Sequence, residues 1–342
     1  MKTRQIHLIR RPEKASTSDF VLREVELPPL RDEQVLIENL YMSVDPYMRQ
    51  SMGDGKDLEP WPLNGPLNGP SVGKVIESRN GRYSVGDIVE SMSGWQEHFI
   101  SDADDFVPYL THDNAIVKRR VDNGALPRDY VGLLGIASQT SYFGMICGGK
   151  PESGQTLVVS SGAGTVGSIA CQIGKIKGMR VVSSAGSDGK VAWLMNDIGV
   201  DHAFNYKTSD IQTALGEACT EGIDLVLESA SPEHMSACLP HMNETSTIMI
   251  AGFVSLYDGD GIIRNVSNFQ YVIERFVTIR CYAFMEFLDA YDDFVTDMLS
   301  WREAGKMNLK YTEYEGLEKA PEALLSLFDG TSHGKPLVKL GN

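Results

Sequence analysis

The period of the apolar and polar positions changes once along the chain, after about residue 125. Before that point, short segments rich in β-branched residues alternate with Gly, Pro and Asn, a pattern that indicates strands joined by turns. These segments are QVLIENLYMSVD (34–45), SVGKVIES (71–78) and DIVESM (87–92). The first part of the chain is therefore predicted to form a small β-rich domain.

From Thr156 onward, short apolar runs alternate with amphipathic stretches. TLVVSS (156–161) has the length and composition of a strand that is buried on both faces. The next segment, TVGSIACQIGKIKG (165–178), has apolar residues at helical spacing and a glycine at its end. Further strands are predicted at RVVSSA, HAFNY, DLVLESA, TIMIAGF and VTIRCYAF, and further helices at KVAWLMNDIG and DAYDDFVTDMLSWREAG. This alternation predicts an α/β fold with a doubly wound parallel sheet.

The first of these strands leads into a glycine-rich loop, SSGAGTVGS, in which Gly162, Gly164 and Gly167 have G-x-G-x-x-G spacing. The first glycine permits a tight turn, the second lets the backbone approach a pyrophosphate, and the third lets helix and strand pack closely. The N–H groups at the start of the helix then face the anion. Because the loop follows a buried strand and opens a helix, it predicts a dinucleotide site. A tight turn without a ligand is the alternative.

The end of the second strand indicates which dinucleotide binds. An NAD site usually has Asp or Glu about 20 residues after the loop, where it binds the ribose 2′-hydroxyl. Residues 183–185 (Ser-Ser-Ala) offer no acid there, and Asp188 is expected to cap the next helix. Lys190 and Tyr206 follow. A site that lacks the carboxylate and has a cation nearby suits a 2′-phosphate, so we expect NADPH. Alternatively, Lys190 is a solvent-exposed charge on the helix that contacts no ligand.

Composition excludes several classes of function. The formal net charge of −15 would repel phosphate backbones, so no nucleic-acid partner is expected. The five cysteines are scattered without a C-x-x-C pair, which indicates free thiols in a reducing compartment. The first residues lack a signal-peptide pattern, and no apolar run reaches the roughly 18 residues that span a bilayer. We therefore expect a cytoplasmic protein without a membrane partner.

No metal site is expected. The cysteines and the seven histidines show no zinc-ligand spacing, and a G-H-E helix motif is missing. A Ser-His-Asp mechanism has no support either, because no G-x-S-x-G sequence is present.

Short segments spread over nearly the whole chain carry a family resemblance. In chain order they are SVDPYMR, VGDIV, GWQEHFISD, TSYFGM, GAGTVGS, AGSDGK, FNYKTSD and GKPLVKL. Together they resemble the zinc-free medium-chain dehydrogenase/reductases, in the branch of leukotriene B4 12-hydroxydehydrogenase/prostaglandin reductases, alkenal double-bond reductases and curcumin reductases. The resemblance implies a GroES-like catalytic domain (1–125 and 303–342) and a Rossmann NADP-binding domain (126–302). Dimers are common among such enzymes, so we expect a homodimer.

The resemblance also implies which residues meet the cofactor. They are Gly162, Gly164, Thr165, Val166, Gly167, Gly186, Lys190, Tyr206, Ser229, Val254, Ser255, Tyr257, Tyr282, Ala283, Phe284 and Ser332. The chain departs from the family pattern at 228–231 (Glu-Ser-Ala-Ser for Glu-Asn-Val-Gly) and at 136–138 (Ile-Ala-Ser for Met-Pro-Gly). It also departs at Ser332, where Asn is common, and at Tyr282, where Phe is usual. These departures leave the identity of the substrate undetermined, whereas the predicted fold does not depend on them.

The activity implied is reduction of a carbon–carbon double bond conjugated to a carbonyl. Hydride from NADPH would go to the β-carbon of a small unsaturated ketone or aldehyde. Without a metal, the enolate oxygen must be held by hydrogen bonds, from a tyrosine or from the cofactor ribose. Tyr257 is the first candidate donor, and Tyr47 would stack on the substrate or act as a second donor, although either tyrosine could simply be a packing residue. The alternatives are a zinc-free quinone or carbonyl reductase and an NADP-binding protein without turnover.

Overall fold

The chain divides into two structural units, each with a sheet and a core of its own. The structure is a computed structural model that describes residues 1–55, 58–103, 116–119, 124–259 and 261–341. The first unit consists of Met1–Gly135, Tyr311–Ser332 and Pro336–Asn342, and the second of Ile136–Lys310 and His333–Lys335.

Antiparallel strands build the first unit. They are β1 (Lys2–Leu8), β2 (Phe20–Glu26), β3 (Val35–Ser43), β4 (Ser71–Ser78), β5 (Ile88–Ser91), β6 (His98–Ser101), β7 (Ile116–Arg119), β14 (Tyr311–Glu315) and β15 (Lys335–Lys339). The helices are α1 (Met48–Ser51), α2 (Pro127–Val131) and α10 (Ala320–Asp329). β1 pairs with β2, and the other strands form one sheet in the order β14-β15-β3-β4-β5-β7, with β6 beside β3. The predicted β-rich domain is confirmed.

Large aromatic side chains fill the core of the first unit. Trp61 and Trp95 are buried and meet edge to face with ring centroids 5.1 Å apart, and Phe20 stacks on Trp95. Burial of each such ring contributes about 1.5–3 kcal/mol to folding. Tyr47, which immediately precedes α1, packs against this cluster. The aromatic core thus supports one of the two predicted catalytic tyrosines.

A six-stranded parallel sheet forms the second unit. Its strands are β8 (Thr156–Val159), β9 (Arg180–Ala185), β10 (His202–Asn205), β11 (Ile223–Glu228), β12 (Met242–Ile250) and β13 (Thr278–Cys281). They are ordered β10-β9-β8-β11-β12-β13, and every pair is parallel. Counted from β8, this is the doubly wound order 3-2-1-4-5-6, which confirms the predicted Rossmann fold.

Helices connect the strands of the second unit. They are α3 (Ile136–Phe143), α4 (Thr165–Ile176), α5 (Asp188–Trp193), α6 (Ile211–Ala218), α7 (Pro232–Cys238), α8 (Gln270–Glu274) and α9 (Tyr291–Glu303). The predicted N-cap of α5 was wrong by one residue. Ser187 is extended and accepts the N–H of Lys190, whereas Asp188 is already helical and accepts from the Asn205 amide. No helix in the described part of the chain has the length and apolarity needed to cross a membrane.

The limits of the units lie later in the chain than the domain limits implied by the resemblance (125/126 and 302/303). In the first unit, the Tyr311 hydroxyl accepts the Leu133 N–H at 3.2 Å. This bond joins the turn after α2 to β14, so the first unit extends to Gly135. In the second, Gln172 on α4 holds Asn308 through two hydrogen bonds, of 2.7 and 3.1 Å. The second unit therefore extends past α9 to Lys310.

Candidate cofactor site

The glycine loop joins β8 to α4, as its spacing predicts. A Cβ on Gly167 would lie 2.7 Å from the Gly162 Cα, and one on Gly162 would overlap the Ser183 side chain. Close packing of strand and helix therefore requires both glycines. A Cβ on Gly164 would lie 3.3 Å from the Ser161 carbonyl oxygen, which is a tight contact but not an overlap. Since packing restricts Gly164 less than the other two glycines, this position fits the predicted close approach of a pyrophosphate.

The start of α4 provides the donors for that anion. Gly164 is the N-cap, and Thr165, Val166 and Gly167 form the first turn. The N–H groups of a first helical turn have no acceptor inside the helix, and the helix dipole adds positive potential there. Such an end binds phosphate groups readily. The arrangement thus fits a dinucleotide pyrophosphate.

A segment near the end of the chain lies beside this loop, and sequence reasoning missed it. The Gly334 N–H donates to the Ala163 carbonyl at 2.9 Å, and the Thr165 hydroxyl donates to the Gly334 carbonyl at 3.2 Å. Predicted Ser332 is assigned to the first unit, where its N–H donates to the Ser326 carbonyl. Gly334 is the first residue of the family motif GKPLVKL, and this motif was the one feature of the sequence that could have pointed to it.

Cationic and aromatic side chains surround the residue before Gly334. The rings of His333 and Trp193 meet edge to face at 4.5 Å, and the Lys310 ammonium lies 5.7 Å from the Trp193 ring. Burial and the positive charges of Lys310 and Lys190 lower the pKa of His333 to about 4. Lys310 and predicted Lys190 thus both act on the charge of His333, with Asp197 acting in the opposite sense, and two lysines suit a doubly charged phosphate.

The other residue predicted for the 2′-phosphate, Tyr206, lies at the end of β9 beside Gly186, a further predicted cofactor residue. The Tyr206 N–H donates to the Ala185 carbonyl at 3.1 Å, and the Tyr206 hydroxyl lies 3.0 Å from the position of a Cβ on Gly186. No acidic residue lies within β9 itself. β9 thus ends without a carboxylate, and the first acid after it, Asp188, lies in α5 and accepts the Asn205 amide.

The residues predicted for the nicotinamide side form a second cluster, at the ends of β11 and β12. The Val254 N–H donates to the Ser229 carbonyl at 3.3 Å, and the Ser255 N–H donates to the Ala230 carbonyl at 3.0 Å. The Ser229 hydroxyl lies 3.5 Å from the Ser160 carbonyl. The backbone of this turn thus positions the segment that leads to Tyr257.

Tyr257 packs its hydroxyl over a glycine. A Cβ on Gly252 would lie 2.5 Å from the Tyr257 hydroxyl oxygen, so a side chain at 252 would displace the ring. Burial raises the pKa of Tyr257. The phenol therefore stays protonated at neutral pH and can donate a hydrogen bond.

Tyr47, in the first unit, has an unusual hydroxyl. It is buried and has no hydrogen-bond partner within the described ranges. Burial and the nearby Asp45 carboxylate raise the pKa of Tyr47 well above its usual value. A buried hydroxyl without a partner costs about 1–3 kcal/mol. Such a group is typical of a site that satisfies it with a ligand.

Tyr282 and its neighbours close the list of predicted positions. The Tyr282 hydroxyl donates to the Thr140 carbonyl in α3 at 2.7 Å. The hydroxyl that distinguishes Tyr282 from the usual Phe therefore has a hydrogen-bond acceptor. The Ala283 N–H donates to the Glu286 carboxylate at 2.9 Å, and Phe284 is buried. In the part of the chain that the structure describes, no group of three or more His, Cys, Asp or Glu side chains could hold a metal.

Comparisons with known proteins agree with this architecture. Residues 4–109 match the family "N-terminal domain of oxidoreductase", and residues 165–301 match "Zinc-binding dehydrogenase". The chain is similar to prostaglandin reductase 1 of Bos taurus (35% identity, covering 95% of this chain and 94% of the relative). It is also similar to the NADPH-dependent curcumin reductase of Escherichia coli (strain K12) (30% identity, 99% and 97% covered).

A solved structure extends this similarity to three dimensions. CurA from Vibrio vulnificus in complex with NADPH is 28% identical, each chain is covered to 99%, and the TM-score is 0.90. The two-unit fold, the glycine loop that opens α4 and these relatives lead to one assignment. The chain belongs to the zinc-free branch of the medium-chain dehydrogenase/reductase superfamily that contains prostaglandin reductase 1, and it is an oxidoreductase.

Proposed function

We propose that this protein uses NADPH to reduce the carbon–carbon double bond of small α,β-unsaturated ketones or aldehydes. The observation that supports the cofactor best is the pairing of the α4 N-terminus with a strand end that lacks an acid and with two lysines, Lys190 and Lys310. The NADPH-dependent curcumin reductase and the NADPH complex of CurA add support from similarity. The predicted cofactor residues of the second unit, from Gly162 to Phe284, make up the proposed binding site, and the role of Ser332 stays a prediction.

The chemistry that NADPH supplies when bound is hydride transfer, here to the β-carbon of the conjugated system. Tyr257 would donate a hydrogen bond to the enolate oxygen, since its raised pKa keeps the phenol protonated. The α-carbon would then take a proton from solvent or from the tyrosine, which completes the saturated carbonyl. Tyr47 is the second proposed donor or stacking residue. Its buried hydroxyl has no partner within the described ranges, which leaves its hydrogen-bonding capacity for a ligand.

A panel of unsaturated carbonyls, assayed with NADPH and analysed by mass spectrometry, tests the reaction class. A saturated carbonyl product supports the proposal. An allylic alcohol or a hydroquinone would support the carbonyl or quinone reductase alternative. Tight NADPH binding without turnover over the whole panel would identify a catalytically silent binding protein.

Tyr257→Phe tests the proposed donor. We expect kcat to fall about 10²-fold, the usual cost of losing a donor to a developing oxyanion, with the Kd for NADPH almost unchanged. Tyr314→Phe, on the β14 strand of the first unit, is the matched control and should retain full activity. An unchanged kcat in Tyr257→Phe would reassign this tyrosine to packing.

The homodimer is also part of the proposal. β13 ends the strand order of the parallel sheet, and two apolar side chains before it, Ile273 in α8 and Phe276 in the following turn, are 74% and 72% exposed. Exposed apolar side chains beside a sheet edge are typical of an interface. The cytoplasmic location stays a prediction.

A further inference from the structure

A buried ion pair lies beneath the two clusters of the proposed cofactor site, and the sequence analysis did not single it out. Glu228 is the last residue of β11, and His234 lies in α7. The His234 Nδ1 lies 2.8 Å from a Glu228 carboxylate oxygen. The Glu228 and His234 side chains are 0% and 3% exposed. Because both side chains are buried, solvent does not hydrate them, and their polar atoms must be satisfied by hydrogen bonds within the protein.

His234 also reaches a second strand. Its Nε2 lies 3.1 Å from the Ser184 hydroxyl in β9. The Ser184 carbonyl in turn accepts the N–H of Gly162, the first glycine of the loop, at 2.8 Å. His234 therefore connects β9 and β11, the two strands on either side of β8.

Glu228 completes the connection to β8 and to the turn that follows β11. It accepts the Ser160 hydroxyl at 2.8 Å, the Ala230 N–H at 2.7 Å and the Ser231 N–H at 3.0 Å. The Ser229 N–H donates to the Ser160 hydroxyl oxygen at 2.8 Å. This turn is the one whose carbonyls hold the segment leading to Tyr257. One carboxylate thus fixes both the start of the glycine loop and the nicotinamide-side backbone.

We propose that His234 is a positioning residue: through Glu228 and Ser184 it holds the ends of β8, β9 and β11 in the geometry that binds NADPH. The inference rests on the proposed function, because it concerns the same cofactor site. His234 touches neither cofactor nor substrate in this role. It acts through the backbone that the Glu228 carboxylate orders.

The charge state of His234 is part of the arrangement. Burial lowers its pKa, but Glu228 from β11 and Cys238 from its own helix outweigh that effect, and the net pKa is raised. Ser184 is the contact from β9 and carries no charge. A group whose folded pKa is raised stabilises the native state fully below its unfolded pKa of about 6.5, and this stabilisation is lost as the pH rises through the folded value.

His234→Phe tests the role, with Met235→Ala as its matched control. Met235 is the next residue of α7, is buried in the sheet core and has no part in the ion pair. We expect both variants to lower the Tm, but only His234→Phe to weaken NADPH binding, by about tenfold, the size of one hydrogen bond to a charged group. His234→Gln, which keeps a donor without the charge, should recover part of the affinity. It also provides the test if the phenylalanine variant does not fold.

The affinity for NADPH separates positioning from mere stability. The Kd for NADPH, from the fluorescence of the bound cofactor, should rise in His234→Phe and not in Met235→Ala. Equal Kd values in wild type and both His234 variants would overturn the inference alone. A wild type that binds no NADPH would overturn the proposed function, and this role with it.

Discussion

At the scale of single residues, the three glycines of the loop have different physical duties. Gly162 and Gly167 have no room for a Cβ, whereas Gly164 has a nearest neighbour at 3.3 Å. The spacing motif marks all three alike, because only the folded backbone brings Gly162 and Gly167 into contact. The motif predicts the loop, and the coordinates separate the two glycines that packing requires from the one that we propose faces the ligand.

Gly167→Ala and Gly164→Ala should therefore behave differently. Overpacking at 167 is expected to lower the free energy of unfolding by about 1–3 kcal/mol. At 164 we expect a smaller loss of stability, because a Cβ there would meet only the Ser161 carbonyl oxygen, at 3.3 Å. We also expect a loss of NADPH affinity, because the methyl group would occupy the proposed path of the pyrophosphate. Thermal unfolding and NADPH titration of both variants measure this. Loss of stability in Gly164→Ala without loss of affinity would assign that glycine to packing.

Lys190→Ala addresses the choice of dinucleotide. A charge-assisted bond to a phosphate contributes about 1.5–3 kcal/mol, so the KM for NADPH should rise at least about tenfold. The KM for NADH should stay nearly the same. Lys177→Ala, at the C-terminal end of α4, serves as the control for a lost surface charge. Equal losses with both coenzymes would reject the 2′-phosphate assignment.

At the scale of elements, the strands of the parallel sheet could be predicted because each is a short apolar run flanked by turns. β8 and β9 lie where the sequence pattern places them. α7 could not be predicted, because seven residues carry too little periodicity. The Glu228–His234 pair could not be predicted either. The proposed role of His234 depends on its contact with Ser184, which lies on another strand and comes close only in the folded protein.

The hydrogen bonds between segment 333–335 and the glycine loop were also not predicted from the pattern of apolar and polar positions. Gly334 has φ +74°, and a Cβ there would lie 2.9 Å from atoms of Lys310. Gly334→Ala should therefore weaken the pairing with the glycine loop and lower the free energy of unfolding by about 1 kcal/mol or more. Gly189→Ala, in α5, has nothing within 4 Å and is the matched control. Denaturant titration of the two variants distinguishes them, and equal stability would contradict the proposed strain at 334.

At the scale of the whole molecule, two units of different architecture are built from one chain. Their existence follows from the change of period along the sequence. Their limits do not, because pairs such as Gln172 with Asn308 and Leu133 with Tyr311 join residues that are distant in sequence. The proposed homodimer cannot be predicted from the local sequence pattern either, because it depends on which apolar side chains the fold leaves exposed.

Phe276→Asp tests the proposed dimer. A charge beside the β13 edge should shift the protein toward monomer, because the exposed ring would be buried in the interface. Val85→Asp, in the first unit at an equally exposed apolar position (67%), should leave the mass unchanged. Size-exclusion chromatography with light scattering gives both masses. A wild type that is already monomeric would contradict the proposed assembly.

The position of transferred deuterium tests the central claim most directly. The protein is incubated with [4,4-²H₂]NADPH and a simple enone, and the product is examined by NMR. The account predicts a saturated ketone with deuterium on the β-carbon. Deuterium on the carbinol carbon of an allylic alcohol would contradict it.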